Sequence, residues 1–341
     1  MNRLEQRLLN DFQRDFPLAA KPYSVIAEKL GSDTATVIAL LKRLQTNGTI
    51  CRIGPVFRPN TIGVSTLAAM AVPAQRLESV AARINGYSEI NHNYEREHRL
   101  NLWFVATAES HAALDAVLAD IERSTGCPVL KLPLVKDYHI DLGFSLRPDV
   151  SSPSLDENNI AVDPVKERTF TDNCDGNVHN ANLIEAIQSG LPLVERPYAK
   201  IGSQIGLTED AVIRDIYRLV GCGAVKRFGV IVRHHELGYR ANAMLVWDVP
   251  DEHIDELGRK LGALDKVTLC YQRPRRLPEW RYNLFCMIHG KERCSVLAYI
   301  DQIVNMFSLE DIPHAVLFSR RRFKQCGARY RSSTKRLAAN G

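Results

Sequence analysis

A single ungapped offset of 175 residues carries the first part of this chain onto its second half. Pro17-Leu18 falls on Pro192-Leu193, Pro22-Tyr23 on Pro197-Tyr198, Gly31 on Gly206, and Arg43-Leu44 on Arg218-Leu219. The match continues through Gly48 and Gly223, Arg52 and Arg227, Gly54 and Gly229, to Gly63 and Gly238. A period this long signals duplicated domains rather than a solenoid, whose repeats run 20–50 residues. At 341 residues the chain has room for two to four domains.

Each half divides again. Apolar residues at helical spacing fill 3–15, Pro22 opens a second helix that ends at Gly31, and a third spans 33–47 with Ser32 or Asp33 as its cap and Gly48 after it. The stretch GTICRIGPVFRPNTIG then reads as two short strands around a turn, which makes a winged helix-turn-helix. Beyond it, strands at 65–73, 87–95, 100–108 and 129–145 alternate with helices at 74–85 and 110–124, the ferredoxin-like βαββαβ order, and 240–330 repeats it. The expected fold class is therefore α+β, a tandem duplication of winged helix-turn-helix plus ferredoxin-like βαββαβ domain. The expected boundaries are 1–64 and 65–146 for the first half, 147–178 for a polar, acidic linker, 179–239 and 240–331 for the second half, and 332–341 for a tail.

Composition excludes several classes. No apolar run approaches the ~20 residues of a membrane span, and the charged start MNRLEQRLLNDFQRDF is not a secretory leader. The eight cysteines show no C-x-x-C spacing, which argues against a zinc site and suits reduced thiols in the cytoplasm. A net charge of +5 suits an anionic ligand. DNA is a poor candidate for it. A recognition helix needs basic and amide groups at its N-terminal end; here Lys42 and Arg43 come only in the last turns of one, and Glu209, Asp210 and Asp215 stand in the other.

The informative residues lie between the middle strands. In Asn91-His92-Asn93-Tyr94-Glu95-Arg96-Glu97-His98, the period of two puts His92, Tyr94 and Arg96 on one face, with His98 following if the strand persists. A lone histidine is most often a solvated side chain, but four such groups on alternate positions are a stronger signal. In the second half Tyr271 and Arg273 match Tyr94 and Arg96, whereas Leu269 replaces His92 and Trp280 falls opposite His98. The two pseudo-symmetric sites are therefore unequal, and one productive pocket is expected. His234-His235, adjacent on a strand, face opposite ways and read as structural.

A winged helix followed by βαββαβ resembles the Lrp/AsnC family. The string H-N-Y-E-R-E-H ahead of Asn101-Leu102-Trp103-Phe104 resembles the siroheme decarboxylases, an enzymatic branch of that family. Tyr282-Asn283-Leu284-Phe285-Cys286-Met287-Ile288-His289-Gly290 and Arg322-Phe323-Lys324-Gln325-Cys326-Gly327-Ala328-Arg329-Tyr330 resemble the L-type subunit of the same group, so the chain is similar to a D–L fusion.

The resemblance implies a carboxy-lyase of haem d1 biosynthesis that takes CO2 from two acetates of siroheme to give 12,18-didecarboxysiroheme. It implies no cofactor and no metal site of the protein's own, the iron being the substrate's. It also implies an internal pseudo-dimer, with further dimerisation to a homodimer open. A macrocycle edged with carboxylates calls for guanidinium and ammonium groups. The candidates are Arg52, Arg96, Lys136, His139, Arg227, Arg273, Arg275, Arg276, Arg322 and Lys324, with Tyr94 and Trp280 in support. His92 and His98 are the expected catalytic pair, as proton donor and carboxylate-orienting partner or as an axial ligand of the substrate iron. Two other readings stand beside this: a regulator that senses a tetrapyrrole and binds DNA, and a non-catalytic tetrapyrrole carrier.

Overall fold

The chain begins with three helices whose ends are set by local chemistry. α1 (Arg3–Asp11) starts in a capping box, in which Asn2 and Glu5 satisfy each other's backbone N–H. Pro22 sits in the first turn of α2 (Pro22–Leu30), and Gly31 ends it at φ 66°, a left-handed conformation that favours glycine. Asp33 Oδ1 accepts the Thr36 N–H at 2.8 Å and so caps α3 (Thr34–Thr46). The second copy repeats these with α6 (Ala181–Gln188), α7 (Pro197–Ile205) ending at Gly206, and α8 (Glu209–Gly221). In this computed structural model the described residues are 2–140, 181–233, 241–328 and 330. The linker expected at 147–178, the tail at 332–341, the end of the strand expected to reach 145, and His234-His235 all lie outside them.

The two helical units share one core. Its buried members come from both copies, among them Leu8, Tyr23 and Leu41 from the first and Leu183, Tyr198 and Leu219 from the second. The exchange is reciprocal: Tyr23 OH donates to the Pro192 carbonyl and Tyr198 OH to the Pro17 carbonyl, each at 3.2 Å.

The expected hairpin wing is replaced by an exchange. Each half contributes one strand, β1 (Ile50–Phe57) and β7 (Val225–Val232), and these pair antiparallel with each other. Six of the eight β1 residues are buried, and β7 supplies the antiparallel edge partner that a local hairpin strand would have given. A Cβ at Gly229 would collide with the Gln13 carbonyl, which explains the glycine where the helical unit crosses the ribbon.

The remaining strands form one nine-stranded sheet, ordered β5-β2-β4-β3-β11-β8-β10-β9-β6. Its first-half strands are β2 (Val64–Met70), β3 (Ile90–Arg96), β4 (Leu102–Ala108), β5 (Leu130–Pro133) and β6 (Lys136–Ile140). Its second-half strands are β8 (Ala241–Trp247), β9 (Val267–Gln272), β10 (Leu284–Gly290) and β11 (His314–Gln325). The closing strand of each half is shared. β5 pairs with β2, but β6 crosses to β9 of the other half; β11 pairs with β8 through Phe318 and with β3 from Ser319 onward. Helices α4 (Leu77–Asn85) and α5 (His111–Thr125) cover one outer face, and α9 (Ile254–Gly262) with α10 (Arg293–Met306) the other. The inner faces meet in a separate core that draws Leu67, Trp103 and Leu132 from one half and Met244, Trp280 and Leu317 from the other. Burying each such large side chain contributes about 1.5–3 kcal/mol, so the two halves stabilise one another. Among the described residues no helix is long and apolar enough to cross a membrane.

Candidate active site

Where the β1/β7 ribbon closes over the two inner sheet faces, a cavity of about 360 Å3 lies between the halves. Pseudo-equivalent residues line it in pairs: Arg52 and Arg227 from the ribbon, Tyr94 and Tyr271, Arg96 and Arg273, Leu67 and Met244. The frame behind them is also paired. Arg52 Nε donates to the Gln188 carbonyl at 3.0 Å, and an Arg227 guanidinium N–H donates to Gln13, the counterpart of Gln188, at 3.1 Å. Asn101 exchanges two hydrogen bonds with the Val72 backbone, and Asn283 does the same with Val249, so the asparagine of each N-L motif pins a strand start.

The symmetry breaks at the chemistry. His92 lines the cavity, and the apolar Leu269 stands at its counterpart. The Nδ1 of His92 lies 2.5 Å from Asn91 Oδ1. Asn91 Nδ2 in turn reaches Thr107 Oγ1 at 3.4 Å, and that hydroxyl donates to the Glu89 carbonyl. Since the amide oxygen only accepts, Nδ1 carries the proton and Nε2 is left to the cavity as a lone pair. Removal from bulk water pulls the His92 pKa down to about 4, so the ring is neutral at pH 7. The ring is half-buried and lines the cavity. The Tyr94 ring lies 6.3 Å away at 22°, and the Arg96 guanidinium sits 5.8 Å from the centroid of the Tyr94 ring. Gln325, opposite His92 in the β11/β3 register, brings a second-half residue to the same spot.

Three cavity arginines are buried without a counter-charge. An Arg96 N–H donates to the Leu317 carbonyl at 3.0 Å, Arg52 to the Gln188 and Pro55 carbonyls, and Arg273 to the Leu132 carbonyl. Among the described residues none of the three forms an ion pair with a carboxylate. Burial pulls the pKa of Arg96 down to about 10 and lowers those of Arg52 and Arg273. All three nonetheless remain cationic at neutral pH. A buried charge without an opposite partner costs several kcal/mol, and a polyanionic ligand would offset that cost.

The other expected site residues lie elsewhere. β3 ends at Arg96, so His98 leaves the strand face: its Nδ1 accepts the Leu100 N–H at 3.0 Å and its ring packs against Trp280 at 5.4 Å. Trp280 is buried in the inter-sheet core, against Trp103 and Tyr282. Lys136 pairs with Asp255 at 2.9 Å, and Arg275 with Asp248 and Asp251 at 2.7 and 2.6 Å. Arg276 Nε donates to the Lys131 carbonyl. Lys324 Nζ binds the Asn85 and Tyr87 carbonyls, closing the C-terminus of α4. Arg322 is exposed beside Gln325, its neighbour Arg321 is held by Glu95, and His139 lines a second cavity outside the first. The sequence reading missed His289, which enters the cavity wall from β10 at the counterpart of Thr107, bonded to Asn242 at 2.9 Å and Thr268 at 3.0 Å. It sits in the Y-N-L-F-C-M-I-H-G string, where the period of two puts it on the same strand face as Met287, also in the cavity wall.

Two helix-turn-helix units fused through paired βαββαβ sheets, with a cation-lined cavity on the pseudo-two-fold, define an Lrp/AsnC-type protein. The AsnC-like ligand binding domain matches residues 61–139 and 236–324, and the siroheme decarboxylase NirDL-like HTH domain matches 5–50 and 180–225. The siroheme decarboxylase NirDL subunit of Paracoccus pantotrophus is 42% identical over 96% of this chain and 97% of its own. The crystal structure of the siroheme decarboxylase NirDL is 27% identical, with a TM-score of 0.68 over 97% of this chain and 95% of that one. A second crystal structure, of NirDL with an iron-uroporphyrin III analogue, superposes with a TM-score of 0.66 at 26% identity, covering 96% and 94%. This chain belongs to the siroheme decarboxylase family, in its fused NirDL form.

Proposed function

We propose that the central cavity binds siroheme and that the chain removes CO2 from two of its acetate side chains, giving 12,18-didecarboxysiroheme for haem d1 biosynthesis. The observation that carries this reading is the set of Arg52, Arg96 and Arg273, buried cations around one apolar cavity that form no ion pair with a carboxylate among the described residues. Fork-shaped guanidinium–carboxylate pairs would fix the orientation of the ring as well as its charge.

The reaction is redox-neutral: a carboxylate and one proton become CO2 and a methyl group. The bond from the methylene to the carboxyl carbon breaks, its electron pair stays on the methylene in conjugation with the ring, and a proton is then delivered to that carbon. His92 delivers it: the residue lines the cavity, and its Nδ1 contact with Asn91 leaves Nε2 as the nitrogen available to the substrate. Burial alone keeps His92 neutral; the carboxylates of the substrate raise its pKa, so the proton is taken up on binding. The apolar wall of Leu67, Val105, Met244, Leu269 and Met287 favours the neutral CO2 over the carboxylate.

A second reading has an observation of its own. A neutral imidazole whose other nitrogen is anchored to an amide oxygen is also the arrangement of a metal-ligating histidine, and Nε2 of His92 could bind the substrate iron axially. His92→Ala, loaded with siroheme under anaerobic conditions, separates the two. A proton-donor role leaves the visible spectrum of bound siroheme in place and abolishes CO2 release, whereas an axial-ligand role shifts the spectrum. Full CO2 release with an unchanged spectrum would remove His92 from the site altogether.

A further inference from the structure

Two of the cavity's buried cations form a symmetric pair. An Arg96 N–H donates to the Leu317 carbonyl, and Arg273 donates to the Leu132 carbonyl. Leu317 lies opposite Met244 and Leu132 opposite Leu67, so the two guanidinium groups are anchored to counterpart carbonyls of the two halves. Tyr94 and Tyr271 accompany them, with ring centroids 5.8 and 4.6 Å from the Arg96 and Arg273 guanidinium groups. A polycarboxylate held by this pair meets the same donors when it is turned over about the pseudo-two-fold.

The imidazoles are not a pair. Among the described residues two histidines line the cavity, His92 on β3 and His289 on β10. His92 lies opposite Val105 of β4, and the equivalent place in the second half is Leu269 opposite Met287. The Nδ1 contact with Asn91 leaves Nε2 of His92 available to the substrate. Both nitrogens of His289 are engaged: Thr268 Oγ1 lies 3.0 Å from Nδ1, and Asn242 Nδ2 lies 2.9 Å from Nε2. The Thr268 hydroxyl donates to the Met287 carbonyl, so it accepts from Nδ1, and Nε2 accepts from the amide. Phenols, thiols and hydroxyls also line the wall, but such groups are weaker acids than an imidazolium by about 2 units or more.

We propose that His92 protonates both carbanions, one in each binding event, and that the macrocycle is released after the first CO2 and bound again turned over. The inference rests on the decarboxylase reading. The acetates at positions 12 and 18 lie on neighbouring pyrroles with a propionate of each ring between them, so one imidazole does not reach both in a single pose. Turning the ring over about the line between those pyrroles exchanges the two acetates and also the two propionates, which the paired arginines accept in either order. The turn breaks every guanidinium–carboxylate contact at once, and those contacts hold the ring, so the change of pose passes through solution. In each round the bond to the carboxyl carbon breaks and CO2 leaves. The electron pair on the methylene takes the Nε2 proton, and water returns a proton to the imidazole beside the next carboxylate.

The test is a pulse-chase with the full chain, without oxygen. Isotope-labelled siroheme is bound, an excess of about tenfold of unlabelled siroheme is added once the first loss has begun, and the macrocycles are weighed by mass spectrometry. The expected result is that labelled ring with one CO2 lost passes into the ultrafiltrate, and that its second loss slows about tenfold. Labelled ring that loses both CO2 as fast as without the chase overturns the proposal. Singly decarboxylated ring recovered from the parent and given to His92→Ala should bind, as its absorbance reports, and keep its second acetate; a second loss there reveals another donor and overturns the proposal. His289→Gln should change both steps by the same factor, and a variant stalled after one CO2 overturns the single-donor assignment. A parent chain that releases no CO2 at all would instead count against the decarboxylase reading.

Discussion

Asn91 Oδ1 sits 2.5 Å from Nδ1 of the adjacent His92, and the amide is itself tied to Thr107. This contact sets which ring nitrogen carries the proton, and it makes Asn91 a positioning residue. Asn91→Ala should lower the rate of decarboxylation about 10–100-fold while siroheme still binds. Asn91→Asp places a negative charge against the Nδ1 proton and should raise the His92 pKa by about 1–3 units. Its rate profile should therefore move to higher pH, a shift that a merely structural role for Asn91 would not produce.

The buried arginines should trade stability for affinity. Replacing Arg273 by Met removes a cation that, among the described residues, is held by the Leu132 carbonyl and by contact with the Tyr271 ring at 4.6 Å and the Phe285 ring at 6.0 Å. The ligand-free variant should be at least as stable as the parent, by something on the order of 1 kcal/mol, because a desolvated charge is gone. Its affinity for siroheme should fall about 10–100-fold. Titration of macrocycle absorbance together with thermal melting reads both quantities; a variant that melts lower and binds as before contradicts the assignment.

Acid should weaken the ligand-free protein through His92. Its folded-state pKa is about 4, below the ~6.5 of an unfolded histidine. As pH falls through 6.5 the unfolded chain takes up a proton that the folded chain refuses, so stability is lost between about pH 6.5 and 4, on the order of 3 kcal/mol at most. Urea titrations of the parent and of His92→Gln across that range should diverge, with the variant falling less steeply. Parallel curves would show that His92 is not desolvated.

The inter-sheet core should be far more sensitive than the surface cations that resemble site residues. Trp280 is 1% exposed and packs on Trp103, Tyr282 and Phe285. Trp280→Ala should cost about 3–5 kcal/mol. Lys136→Ala breaks only an exposed pair with Asp255 and should change stability by less than about 1 kcal/mol, with siroheme affinity unaltered.

Much of the frame was legible in local pattern. The repeated Pro22 and Pro197 starts, the Gly31 and Gly206 stops, and the βαββαβ alternation each follow from residues close in sequence. What escaped depends on long-range pairing. Nothing near Ile50–Phe57 says that its partner is Val225–Val232 rather than the next few residues, and nothing near Leu134-Val135 says that the strand changes partner there. The same limit shaped the site. His92, Tyr94 and Arg96 share a strand face, so the period of two found them, whereas His98 was misplaced by a strand that stops at Arg96. Arginine-rich segments were a poor guide to the cavity: Arg52, Arg96 and Arg273 line it, while Arg275, Arg276 and Arg322 do not. Sequence shows the charge of a side chain, but its burial is set by which sheet face it joins.

The most direct measurement is to incubate the purified chain with siroheme anaerobically, then extract the macrocycle and weigh it by mass spectrometry. The predicted result is the loss of two CO2 masses, with His92→Ala returning the macrocycle at its starting mass. Siroheme that binds the unaltered chain and comes back with all its carboxyl groups would contradict the decarboxylase reading and leave a carrier or sensor in its place.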